Sequence, residues 1–189
     1  MRPERGVRAL AGWSLRLAGL ALAFGTLAAT PVEAACTDSA APGVNWRRCM
    51  QDGQDLQGAD LSRAELRDAS FKRARMSGVR LDGAEATRAK FVQADLSGAS
   101  LADATFTMAD FTYANLEGAS LAGASLRRAR LYEASLRNAD LTGANLQETD
   151  LLRADLSGAL WVDGKTRCAE GSRGRCHPAP APAASKVEG

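Results

Sequence analysis

Few residues in this chain of 189 could carry chemistry. Cys36, Cys49, Cys168 and Cys176 are the only thiols, and His177 is the only imidazole. The cysteine spacings are not those of a C-x-x-C metal loop, and His177 stands at the start of a Pro/Ala-rich stretch. No metal site, cofactor site or catalytic residue is assigned. Carboxylates are plentiful, so a surface pair for acid–base work is conceivable, but such a pair needs a dry concavity to shift its pKa values. An even cysteine count in an exported chain reads as disulfides, and four cysteines allow three connectivities.

Export is read from the amino terminus. Arg2, Arg5 and Arg8 form a charged start, an apolar run follows over 17–29, and Pro31-Val32-Glu33-Ala34 supplies the cleavage end. The run is short of the roughly 20 residues that span a bilayer. Residues 1–34 are therefore expected to be a signal peptide cut after Ala34, leaving no stable membrane anchor and a periplasmic or secreted chain. Cys36 invites lipidation, but Glu33 stands where a lipobox needs an aliphatic residue.

What positions everything else is a five-residue rhythm from Gln54 to Gly158. A large apolar residue recurs at Leu56, Leu61, Leu66, Phe71, Met76, Leu81 and onward to Leu156, and 19 of the 21 members are Leu or Phe. Ala stands two places earlier in 18 of the 21. On an α-helix five residues advance about 500°, which would scatter these side chains around the axis. On a flat strand an odd repeat alternates faces. The pattern works only if the chain turns a corner in every repeat, with the small residue and the Leu pointing inward and the other three outward.

Units such as Ala94-Asp95-Leu96-Ser97-Gly98 and Ala144-Asn145-Leu146-Gln147-Glu148 resemble the A-(D/N)-L-x-x consensus of the pentapeptide-repeat family. The resemblance implies an all-β fold, a right-handed quadrilateral β-solenoid (pentapeptide-repeat β-helix) with 20 residues per coil. Coils at the usual strand spacing of about 4.8 Å would build a rod roughly 25 Å long. Residues 20 apart then lie one above another. Phe71, Phe91 and Phe111 form one inner column, Leu61, Leu81, Leu101, Leu121 and Leu141 a second, and Ala86 leaves a gap that Phe106 partly fills. Opposite ends of such a rod are too distant to bridge, which favours Cys36–Cys49 and Cys168–Cys176.

The expected organisation is an N-terminal cap with a disulfide loop over 35–53, the solenoid over 54–158, a C-terminal cap with a disulfide loop over 159–176 and a disordered Pro/Ala tail over 177–189. Caps are needed because terminal coils expose core and unpaired edges. Val44 and Trp46 suit that role at one end. At the other, Trp161 is in register as a further inward residue, followed by an Asp163-Gly164 turn. The segment from Trp161 to Cys176 looks like a closing element of exported pentapeptide-repeat proteins.

Charge excludes some partners. The chain after residue 34 holds 20 basic and 20 acidic residues, and the repeats carry 13 basic against 15 acidic. No field of one sign favours nucleic acid or an anionic membrane. Charge is banded: 63–90 is basic, 91–126 has no Lys or Arg, and 127–137 is basic again. Lys90, Asp110, Arg130 and Asp150 alternate in sign along one column, which reads as ladder pairing. Gly58, Gly78, Gly98, Gly118, Asn138 and Gly158 form another column, read as turn positions that need positive φ. Val92, Met108, Tyr113, Tyr132 and Leu152 are apolar or aromatic at outward positions and form the candidate interaction patch.

The expected function is that of a non-enzymatic exported repeat scaffold, acting through protein binding or as a structural spacer in the cell envelope, with an unidentified envelope protein or a second copy as partner. The resemblance offers a second reading, a DNA mimic acting on a topoisomerase, but a mimic needs an acidic rod in the cytoplasm. Catalysis is the third reading, and a convex rod gives it no pocket.

Overall fold

The computed structural model describes residues 36–180. The expected signal peptide and residues 181–189 of the expected tail lie outside the described residues.

Each repeat folds into one tight turn and one bridge. In Leu61-Ser62-Arg63-Ala64 the amide of Ala64 donates to the Leu61 carbonyl at 3.1 Å, and Arg63 has φ +57°. Positive φ at the third turn position is what a type II turn requires. The next residue then pairs with the coil above. Parallel bridges link residues 20 apart without a break, from Asn45↔Glu65 to Asp140↔Leu160. The chain is a β-solenoid with a 20-residue coil and four turns per coil. Each stacked strand is a single bridge residue long, because a turn consumes the rest of every repeat.

The inter-coil bonds follow one rule. The Leu61 amide donates to the Arg80 carbonyl at 2.8 Å and the Arg63 amide to the Asp82 carbonyl at 2.9 Å, while the Arg80 amide returns a bond to the Ala59 carbonyl at 2.9 Å. Only Leu and Ala of the repeat face inward, and Leu81, Phe91, Leu101 and Leu121 are fully buried. Phe71, Phe91 and Phe111 stack in one column with ring centroids 5.2 and 4.9 Å apart. Phe106, one coil above the small Ala86, lies edge-on against Phe91 and Phe111 at 5.9 and 5.2 Å. The positive-φ column reads as expected from Gly58 at +62° to Gly158 at +73°, with Asn138 at +55°. A Cβ at Gly98 would meet open space, whereas one at Gly123 would collide with the Asp103 carboxylate.

At the first coil the same register reaches back before Gln54. Trp46 and Gln51 take the inward Leu position and Cys49 takes the inward Ala position, and all three are buried. Cys49 is bonded to Cys36, with Cα atoms 5.3 Å apart. The Gln51 side-chain amide donates to the Cys36 carbonyl at 3.1 Å. The amide therefore satisfies a polar group in a position that leucine holds elsewhere.

At the last coil the chain reverses. After Trp161 it turns over Asp163 and Gly164 and runs back antiparallel, through Leu160↔Arg167 to Asp155↔Arg173. Cys168 and Cys176 are bonded, Cα atoms 5.0 Å apart. The Asp163 carboxylate holds the turn by accepting from the amides of Lys165 and Thr166 and from the Thr166 hydroxyl, at 2.9, 2.7 and 2.6 Å.

Two outcomes are expected. Leu121→Ala empties a buried mid-column position and should cost about 2–5 kcal/mol, whereas Leu152→Ala on the surface should stay within about 0.5 kcal/mol, both read from denaturant midpoints. The Asp163 pKa is lowered to about 2, chiefly by the Thr166 hydroxyl and then by the two backbone amides. Its folded pKa lies below the unfolded one, so its contribution is complete above about pH 4 and is lost as pH falls through about 2. Amide exchange at Lys165 and Thr166 should accelerate over that window, and in Asp163→Asn it should show no such step.

Candidate interaction face

Outward residues lie at the turns and bridges, so the stacking rule decides which of them meet. Tyr113 and Tyr132 meet: their rings are 5.8 Å apart in an edge-to-face arrangement, and the Tyr113 amide donates to the Tyr132 carbonyl at 3.0 Å. Arg153 closes the group. Its guanidinium donates to the Tyr132 hydroxyl at 3.4 Å and pairs with Glu133 at 2.9 Å. The Tyr132 hydroxyl is held above its ordinary pKa, first by its hydrogen bond to Glu133. Leu152 continues the Tyr132 column and is 60% exposed, and Tyr113 is 50% exposed.

The remaining members of the expected patch lie elsewhere. Val92 is half-buried and lines a shallow depression with Lys72, Arg73 and Gln93. Met108 lines a second depression among Arg88, Lys90, Arg128 and Glu148. The patch is therefore a compact group of Tyr113, Tyr132, Leu152, Glu133 and Arg153, with Val92 and Met108 set apart. Two residues escaped the sequence reading. Arg153 sits one residue beyond Leu152 and 20 beyond Glu133, a spacing that could have found it. Met50 is exposed at an outward bridge position that becomes visible only once the register is carried back before Gln54.

The charge bands also change meaning in three dimensions. Arg88 of the basic band grips Asp68 with two bonds of 2.7 Å, and the carboxyl pKa of Asp68 is lowered chiefly by that contact. Arg80 pairs with Asp60 at 3.3 Å, Arg75 pairs with Asp55, and Arg128 pairs with Glu148 at 2.7 Å. Of the sign-alternating column, Arg130 and Asp110 approach to 4.0 Å. These are exposed pairs of modest energy, but they neutralise charge coil by coil. All four cysteines are in disulfides, so none offers a thiol as nucleophile or metal ligand. What the described surface presents is contact chemistry: two rings, a leucine, a guanidinium and a carboxylate.

A family model described as pentapeptide repeats matches the chain in eight copies, in overlapping segments that together run over residues 52–160. Among solved structures, the chain is similar to HetL, a pentapeptide repeat protein involved in heterocyst differentiation regulation from the cyanobacterium Nostoc. The identity there is 30%, covering 66% of this chain and 68% of that one, with a TM-score of 0.32. It is also similar to a pentapeptide repeat protein of the Arabidopsis thaliana thylakoid lumen, at 23% identity over 69% and 86% of the two chains and a TM-score of 0.25. A third similarity is to QnrB1, a plasmid-mediated fluoroquinolone resistance protein, at 22% identity over 62% of each chain and a TM-score of 0.28. No curated protein matches. Eight copies over more than half of the chain, on a coil of four five-residue turns, place this protein in the pentapeptide-repeat family.

Proposed function

We propose that this chain is an exported, non-enzymatic scaffold, a right-handed four-sided solenoid with a disulfide-bonded segment at each end, which presents Tyr113 and Tyr132 to a protein partner in the cell envelope. The observation that carries this reading is the tyrosine pair. It is the one place among the described residues where two exposed or half-exposed aromatic rings touch, on a surface otherwise built of polar and paired charged groups. Tyrosine and arginine together are the residue types that anchor protein contacts, because each offers a large rigid area with a polar tip. Both disulfides support an oxidising compartment, where such bonds persist. The near-balance of charge over the repeats argues against a nucleic-acid surface.

The test is photo-crosslinking in cells from position 113, with position 98 as control on the open glycine strip. A specific envelope protein captured at 113 and absent at 98 is the expected result. With the crosslinker at position 113, Tyr132→Ala should abolish the adduct while leaving the unfolding free energy within about 0.5 kcal/mol of the parent. No adduct at 113, or equal capture at 98, would contradict the reading.

A further inference from the structure

Among the described residues, the C-terminal end of the solenoid is covered over only two of its four sides. On the covered half, the amides of Leu156 and Gly158 donate to the carbonyls of Ser172 and Cys168, so the returning segment occupies the place of a next coil. The cover stops at Gly174, whose amide donates to the Ala154 carbonyl. Beyond it Cys176 is bonded to Cys168, and residues 177–179 run antiparallel to the returning segment, with the Ala169 amide donating to the His177 carbonyl and the Ala179 amide to the Arg167 carbonyl. On the other half, the amides of Leu146, Glu148 and Leu151 and the carbonyls of Ala144 and Thr149 have no backbone partner among the described residues. The equivalent groups one coil earlier are bonded: Leu126 and Arg128 donate to the carbonyls of Asn145 and Gln147. The inward side chains of Leu146 and Leu151 are partly exposed, unlike those of every coil between Leu61 and Leu141.

An end that is raised on one half and open on the other is complementary to itself about a two-fold axis. Charge follows the same division. The open half, 144–153, carries Glu148, Asp150 and Arg153, one net negative charge, whereas the raised segment 163–176 carries Lys165, Arg167, Arg173 and Arg175 against Asp163 and Glu170, two net positive charges. Glu148 and Arg153 are engaged by Arg128 and Glu133 of the preceding coil, which leaves Asp150 as the carboxylate on the open half with no ion pair among the described residues. We propose that the open edge at residues 144–153 is the seat of a second copy of this chain, docked tip to tip so that the raised segment of each covers the open half of the other. Edge amides and carbonyls would gain partners, and Leu146 and Leu151 would leave water. Leu152 and Arg153 belong to both surfaces, but Tyr113 and Tyr132 lie outside residues 144–153, so the inference does not rest on the proposed partner.

The test is sedimentation of the oxidised chain over a wide concentration range, with hydrogen exchange read at Leu146, Glu148 and Leu151. The mass should rise from one chain to two and stop there, and those three amides should exchange fast in dilute solution and slowly in concentrated solution. Asp150→Arg should weaken the dimer by about tenfold, because a two-fold contact loses the same pair twice. Adding Lys165→Glu and Arg175→Glu to it should restore the dimer. The exchange measurement needs no variant, so a misfolded Asp150→Arg leaves the inference exposed to refutation. A single-chain mass throughout would overturn it. So would slow exchange independent of concentration, which would mean that residues 181–189 fold over the edge, or protection that appears only when a foreign extended peptide is added. Assembly that continues past two chains would overturn it as well.

Discussion

The described solenoid depends on the amide at the inward Leu position of each repeat donating to the carbonyl 19 positions ahead. That bond forms only if the chain closes a coil in 20 residues, and closure in 20 is possible only if each repeat turns a corner of the same size. The turn in turn forces positive φ on its third residue, which 14 non-glycine residues accept among the described residues, Tyr113, Arg128 and Glu133 included. L-residues pay for that conformation in Cβ crowding, of order 1 kcal/mol each. The stack tolerates it because an inward apolar residue is buried in every repeat from Leu56 to Leu141, and each large side chain so buried is worth about 1.5–3 kcal/mol. The side chains that sit on the corners are therefore aimed outward by a backbone that has no freedom to do otherwise.

The same constraint organises the surface. Neighbours are residues 20 apart, so function-bearing groups are assembled by addition along a column and not by any local motif. Tyr132 and Leu152 share a column, Tyr113, Glu133 and Arg153 share the next, and two columns at one corner make a face. Charges that look like bands along the chain become cross-coil pairs, such as Arg88 with Asp68 and Arg128 with Glu148. The ends are where the rule fails, since a terminal coil has no neighbour. One end draws a glutamine inward to meet Cys36, and the other folds its own chain back as an antiparallel strand.

The sequence carried the fold because a repeat states its own geometry. Spacing alone gave a corner in every five-residue repeat; the 20-residue register, and with it the phenylalanine column, the filling of the space beside Ala86 and the favoured cysteine pairings, followed from the resemblance to pentapeptide repeats. The extent of the register was less so: Trp46, Cys49 and Gln51 do not look like Leu or Ala, and only the bridges from Asn45 and Met50 reveal that they occupy those positions. The candidate face was legible in part. Tyr113 and Tyr132 follow from outward position plus adjacency, but Val92 lies two coils from Tyr132 and Met108 lies in another column, distances that a list of exposed apolar residues does not contain. The half-covered end was not legible, because nothing in the composition of 159–176 says where the returning strand stops.

The proposed role requires an oxidised chain outside the cytoplasm, so the form of the protein in the cell bears on it most directly. The decisive measurement is the intact mass of the protein from fractionated cells, taken with and without reduction and thiol labelling. The account predicts a chain beginning at Ala35 in the envelope or external fraction, with four cysteines that label only after reduction. A full-length chain in the cytoplasm with four labelled thiols would contradict it.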